Sequence, residues 1–187
     1  MMLIRKDLDM RRPLKPWILP LCVVLPWSAL HAESPPRLQQ HDQALQMHRA
    51  GDPAAAADLL MELHRQYPSE QRILYDLIAA LSAAGRDAEA LGLRDEVGAD
   101  APAYVHEALG RAARNLRDYP LAVELYRQAG RQSTGRAEPV AGVMMSLADG
   151  LRPAEALQRF DALPADMKEH PLAVSYTHLT LPTKRIV

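Results

Sequence analysis

The chain has 187 residues, with 22 Lys+Arg against 23 Asp+Glu, a formal net charge of −1 and a single cysteine. No basic stripe of the kind that follows a phosphate backbone is present, which excludes a nucleic-acid partner. The one cysteine, Cys22, lies in a leader-like segment. The mature chain therefore has no disulfide, no thiolate nucleophile and no cysteine metal ligand, and helix packing alone must stabilise it.

Residues 1–32 read as a secretory signal peptide. Arg11, Arg12 and Lys15 precede the apolar run Trp17 to Leu30, and His31-Ala32 supplies a small residue at the cleavage point. The run is short and broken by Pro20 and Pro26, whereas a spanning helix needs roughly 20 apolar residues. Met10 makes a more conventional start than Met1, because acidic residues lie between them. The residues after Arg11-Arg12 fit a twin-arginine leader poorly, and Leu19-Pro20-Leu21-Cys22 lacks the small residues of a lipoprotein site. General secretion with soluble release is the expectation, and an uncleaved anchor helix is the alternative.

An alanine in a helical context then recurs at Ala56, Ala90, Ala122 and Ala156, at spacings of 34, 32 and 34 residues. Four units follow, over 37–70, 71–102, 103–136 and 137–170, within an array covering 37–173. In the first, Gly51-Asp52 closes one helix and Pro68 stops the next. Gly85 and Pro102 return in the second unit, each after 34 residues. The third carries Leu109-Gly110, Asp118-Tyr119, Tyr126 and Ala129, and the fourth Leu147, Leu157 and Phe160. Large apolar residues such as Leu60, Leu63, Leu74, Leu77, Ile78 and Leu81 keep helical spacing with no strict alternation.

This pattern resembles the tetratricopeptide repeat, in which small residues sit where the two helices of a pair cross and let their axes approach. The resemblance implies an all-α superhelix of about four helix-turn-helix units, with Ala56, Ala90, Ala122 and Ala156 buried at the crossings. An ordinary helical bundle with chance spacing is the alternative. Stacked units present an open groove rather than an enclosed pocket.

No catalytic, cofactor or metal site emerges. His41 and His48 share a helix face but stand roughly 10 Å apart along the axis, too far to hold one ion. His64, His106 and His170 are isolated, and adjacent carboxylates such as Asp95-Glu96 point in different directions. There is no G-x-S-x-G, no phosphate-binding loop and no G-x-G-x-x-G. A non-catalytic binding role is the expectation.

In tetratricopeptide arrays the first helix of each pair lines the concave face. That register points to His41, His48 and Arg49 in the first unit, then Arg72, Tyr75 and Ser82. The third contributes Tyr104, Glu107, Arg111, Arg114 and Asn115, and the fourth Glu138, Met145 and Asp149. The lysine/asparagine clamp for peptide carboxylates is absent from these positions. Tyrosines with forked and amide donors suit a carbohydrate, whose hydroxyls need hydrogen bonds and whose ring faces stack on aromatics. Residues 37–173 hold 15 Lys+Arg against 20 Asp+Glu, a net charge of −5 that tolerates a cationic partner.

A more specific resemblance lies in Arg114-Asn115-Leu116, Tyr119 and Leu125-Tyr126-Arg127-Gln128-Ala129, and in Leu147-Ala148-Asp149-Gly150 followed by Ala156-Leu157. With His41-Asp42-Gln43-Ala44-Leu45 and Arg49-Ala50-Gly51, these are similar to the periplasmic repeats of the export porin for poly-β-1,6-N-acetylglucosamine. That family places an N-terminal repeat domain in the periplasm and a β-barrel in the outer membrane. The resemblance implies that the repeats receive the partly deacetylated polymer and its deacetylase. The expected location is the periplasm, as part of an outer-membrane protein whose barrel is absent from this sequence. The alternative is a generic secreted scaffold, for cellulose export or envelope assembly, that binds another protein.

From Val174 the run VSYTHLTLPTKRIV breaks the helical pattern. It resembles the translation of a transposon-end sequencing adapter, so 174–187 is read as an artefactual tail. Native sequence is then expected to stop near Ala173, at the start of a fifth repeat, in a fragment of a longer protein.

Overall fold

A computed structural model describes residues 36–171. The leader at 1–32 and the tail at 174–187 lie outside the described residues. Eight helices run in four consecutive pairs: α1 (Pro36–Arg49) with α2 (Pro53–Gln66), α3 (Gln71–Ala83) with α4 (Asp87–Gly92), α5 (Ala103–Asn115) with α6 (Tyr119–Gln132), and α7 (Ala137–Asp149) with α8 (Pro153–Asp161). A short α9 (Ala165–Lys168) follows. Each helix packs on its partner, and each first helix also packs on the unit before it: α3 on α2, α5 on α3 and α4, α7 on α6 and α5.

The four alanines Ala56, Ala90, Ala122 and Ala156 are each 0% exposed. The apolar faces merge into two buried clusters. One gathers Ala44, Leu60, Leu63, Leu77 and Leu81 from the first two pairs. The other gathers Leu74, Val105, Leu109, Tyr126, Met144 and Leu147 from the last three.

Every first helix ends in the same backbone device. The N–H groups of Asp52, Arg86, Asp118 and Arg152 donate to the carbonyls of Met47, Leu81, Ala113 and Leu147 at 2.8–3.0 Å. The residue before each of these has a left-handed backbone, with φ of 89° at Gly51, 74° at Gly85, 64° at Arg117 and 60° at Leu151. These are Schellman caps, whose left-handed position favours glycine. Asp52 and Asp118 also cap the following helix, accepting from Ala55 N at 3.0 Å and Leu121 N at 3.2 Å. Arg86 and Arg152 stand at the same place and reach instead to Glu89 and Glu155.

Leu151 has no packing reason to hold this conformation, being 89% exposed. Leu151→Gly relieves a left-handed penalty of about 1–2 kcal/mol against the larger unfolded-state entropy of glycine. The expected net gain is about 1 kcal/mol, read as a raised urea midpoint with unchanged slope.

The spacing of 32 between Ala90 and Ala122 has a structural cause. The second unit is two residues short, and the loss falls after Ala90: α2 and α6 each have 14 residues, whereas α4 has 6 and passes into a 3₁₀ turn at Arg94–Glu96. The recurrence of proline after 34 residues is therefore a coincidence of numbering. Pro68 lies in the turn before α3, while Pro102 is the N-cap of α5. Gly51 and Gly85, by contrast, are structurally equivalent.

Candidate functional site

The first helices α1, α3, α5 and α7 line one face, and their side chains are tied across the stack. Asp76 on α3 holds two neighbours: His41 Nε2 on α1 lies 2.8 Å from its Oδ2, and the Tyr104 hydroxyl of α5 donates to its Oδ1 at 3.0 Å. Burial and the Asp76 carboxylate together raise the Tyr104 phenol above the ordinary tyrosine range, so it stays a neutral donor. Asp76→Ala strands the His41 ring, which is 4% exposed. The expected cost is about 1–2 kcal/mol in urea unfolding.

A hollow of about 310 Å³ opens between α5 and α7, lined by Glu107, Arg111, Arg114, Asn115, Glu138 and Met145 over the Tyr126 ring. The Arg114 guanidinium crosses from α5 to α7, with Nε 3.1 Å from Asp149 Oδ2 and Nη1 3.5 Å from Met145 Sδ. Glu107 lies 3.0 Å from Arg136 Nη1, and burial, only partly offset by Arg136, raises its carboxyl above the usual range. Arg136 also meets Glu138 at 3.3 Å. Asn115 Nδ2 donates to Asp87 Oδ2 at 3.1 Å. Charges of both signs line the hollow, and it offers several donors and acceptors beside an aromatic floor.

Of the residues expected from register, Glu107, Arg111, Arg114, Asn115, Glu138 and Met145 come together here, with Asp149 joined through Arg114. Tyr104 stands apart on the same face, at Asp76. His41 does not serve an open groove, because it is buried against Asp76. Tyr75 is half-buried and packs against the core, its hydroxyl close to Gly98. Arg49 is exposed and His48 half-buried near the C-terminal end of α1, away from the hollow. Asp76 was missed, since the register singled out position five of that helix rather than six. Among the described residues no group of three His, Cys, Asp or Glu is placed to hold a metal ion, and no helix is long and apolar enough to cross a membrane.

No family model matches the chain, and no curated protein does. Solved structures do. MamA (residues 41 to the end) from Desulfovibrio magneticus RS-1 superposes with a TM-score of 0.61 at 16% identity, over 67% of this chain and 72% of that one. A Podosopora anserina kinesin-light-chain-type protein of nearly identical TPR-like repeats gives 0.55 at 18% identity, over 75% of this chain and 82% of that one. A point variant of that same protein gives an equal score and identity. The fold is a tetratricopeptide-repeat superhelix. At these identities the likeness extends to the fold alone.

Proposed function

We propose that the array is a non-catalytic periplasmic adaptor of an exopolysaccharide export porin, receiving partly deacetylated poly-β-1,6-N-acetylglucosamine and docking its deacetylase. The observation that carries this reading is the hollow between α5 and α7, where Glu107, Arg111 and Asn115 offer hydrogen-bonding groups beside the Tyr126 ring. Sugar hydroxyls and acetamido groups need donors and acceptors together, which a mixed lining supplies better than one of single sign. The net −5 of residues 37–173 favours a polymer that gains an ammonium at each deacetylated sugar.

An open face makes few contacts with each sugar, so affinity grows with the number of sugars engaged. The test is a calorimetric titration of the full chain with β-1,6-linked oligomers of rising length and deacetylation. Partly deacetylated oligomers are expected to bind more tightly than fully acetylated ones, gain affinity with length and lose it with salt over a Debye length of about 10 Å at 0.1 M. Equal binding of both series overturns the electrostatic argument. Binding to neither oligomers nor deacetylase transfers the array to the scaffold reading, in which another envelope protein occupies the groove.

A further inference from the structure

The shortened α4 leaves a second opening, on the side of the second helices. It holds about 600 Å³ between the segment 94–99 and α6, with Leu109 and His106 of α5 in its lining. The helices α3, α5 and α7 each have 13 residues, so their positions correspond one to one. At the place of His106, α3 has Leu74 and α7 has Val140. A repeat array that fills this position with aliphatic side chains on both sides has a histidine here.

His106 is 8% exposed, and its Nδ1 is buried without a hydrogen-bond partner. Such a group is costly unless something completes it. The His106 side chain lines the opening beside the six-residue α4. Burial first, and the nearby Arg131 second, push the imidazole below its ordinary range, so at neutral pH it is uncharged. Arg94 and Arg131 also line the opening, with Gln128 beside them and Glu124 as the one acidic lining residue. Arg94 leans on Asp95 at 3.2 Å, a pair so exposed that it holds the guanidinium weakly. Leu109, Leu121 and Leu125 complete an apolar floor.

We propose that this opening is a second binding site, distinct from the face of the first helices, for a small carboxylate with an apolar body, its charge held by Arg94 and Arg131 and its oxygen accepting from His106. The volume lies within the range of small-molecule pockets, roughly 300–1,000 Å³. The two guanidiniums match a carboxylate in fork geometry, and the leucines take the hydrocarbon.

The experiment titrates the full chain with acetate, butyrate and hexanoate, with butanol as the uncharged control and sulfate as an anion without a hydrocarbon body. His106 ring resonances and calorimetry give the readout. Affinity is expected to rise from acetate to hexanoate, with the His106 signals shifting, while butanol and sulfate bind at least roughly tenfold more weakly. Arg131→Gln, on an exposed side chain, is expected to weaken hexanoate roughly tenfold or more. His106→Leu, which restores the residue found at position 74, is expected to weaken hexanoate similarly and to raise the Tm by roughly 3–5 °C.

The proposal fails if hexanoate leaves His106 unmoved, if butanol matches butyrate, or if Arg131→Gln leaves the affinity within about twofold. A lowered Tm in a folded His106→Leu chain also overturns it. Should that variant not fold, Arg131→Gln and the probe series still decide.

Discussion

Replacing Ala122 with leucine lowers stability by about 3 kcal/mol, at the upper end of the overpacking range. Ala122 is 0% exposed and belongs to one buried cluster with Leu109, Ala113 and Leu125. Its methyl sets how closely α5 and α6 can lie, and three further carbons must displace packed neighbours. The helices must separate, and the packing of α6 on α7 loosens with them. In a thermal melt of the full chain the expected shift is a Tm lower by roughly 6–12 °C. An unchanged Tm would mean that the crossing is loose at this unit and that the small residue there is incidental.

Gly142→Ala is the second large effect, and its sign runs against helix propensity. Alanine in a helix interior ordinarily gains about 1 kcal/mol over glycine. A Cβ on Gly142, however, would stand 2.4 Å from the Tyr126 ring, inside any van der Waals contact. Retreat carries the ring toward the α5 backbone, which is already so near that a Cβ at Gly110 would stand 3.1 Å from it. Tyr126 is 6% exposed and clamped between two glycines of different helices. Overpacking of about 3 kcal/mol less the propensity gain leaves a net loss of about 2 kcal/mol. Gly130→Ala supplies the contrast: its Cβ would meet only Pro139 Cβ, at 3.7 Å, an ordinary contact. That change is expected to stabilise by about 0.5–1 kcal/mol, so equilibrium urea unfolding should move the two variants in opposite directions.

The helical array was legible in the sequence because its requirements are local. A crossing demands a small side chain wherever it occurs, so Ala56, Ala90, Ala122 and Ala156 mark the units without any knowledge of neighbours. The left-handed cap is equally local where glycine fills it, at 51 and 85, and invisible where Arg117 and Leu151 do. What depends on how one unit stacks on the next was harder to read. The period of 32 is written in the spacing, but which helix loses the two residues appears only when α4 breaks after Gly92. Asp76 looks like any surface carboxylate until the stacking brings His41 and Tyr104 to it. His106 likewise reads as an isolated histidine in its own helix. Its oddity emerges only beside Leu74 and Val140, once α3, α5 and α7 are set in register.

The site residues follow the same division. Register along one helix brought Glu107, Arg111, Arg114 and Asn115 to one face, because positions three and four apart share a side. It carried no information on depth, which is why His41 was expected in the groove and lies beneath it. Nor did it foresee Tyr126, a second-helix residue that reaches the hollow because glycine stands at positions 110 and 142.

In the proposed function the partner binds on the face of the first helices. Chemical-shift mapping of the full chain with a partly deacetylated β-1,6-N-acetylglucosamine oligomer tests it most directly. Perturbations are expected on that face alone, largest at Glu107, Arg111, Asn115 and Glu138, around the hollow between α5 and α7. Perturbations centred on the outer side of α2, α6 and α8, or none at saturating oligomer, would contradict it.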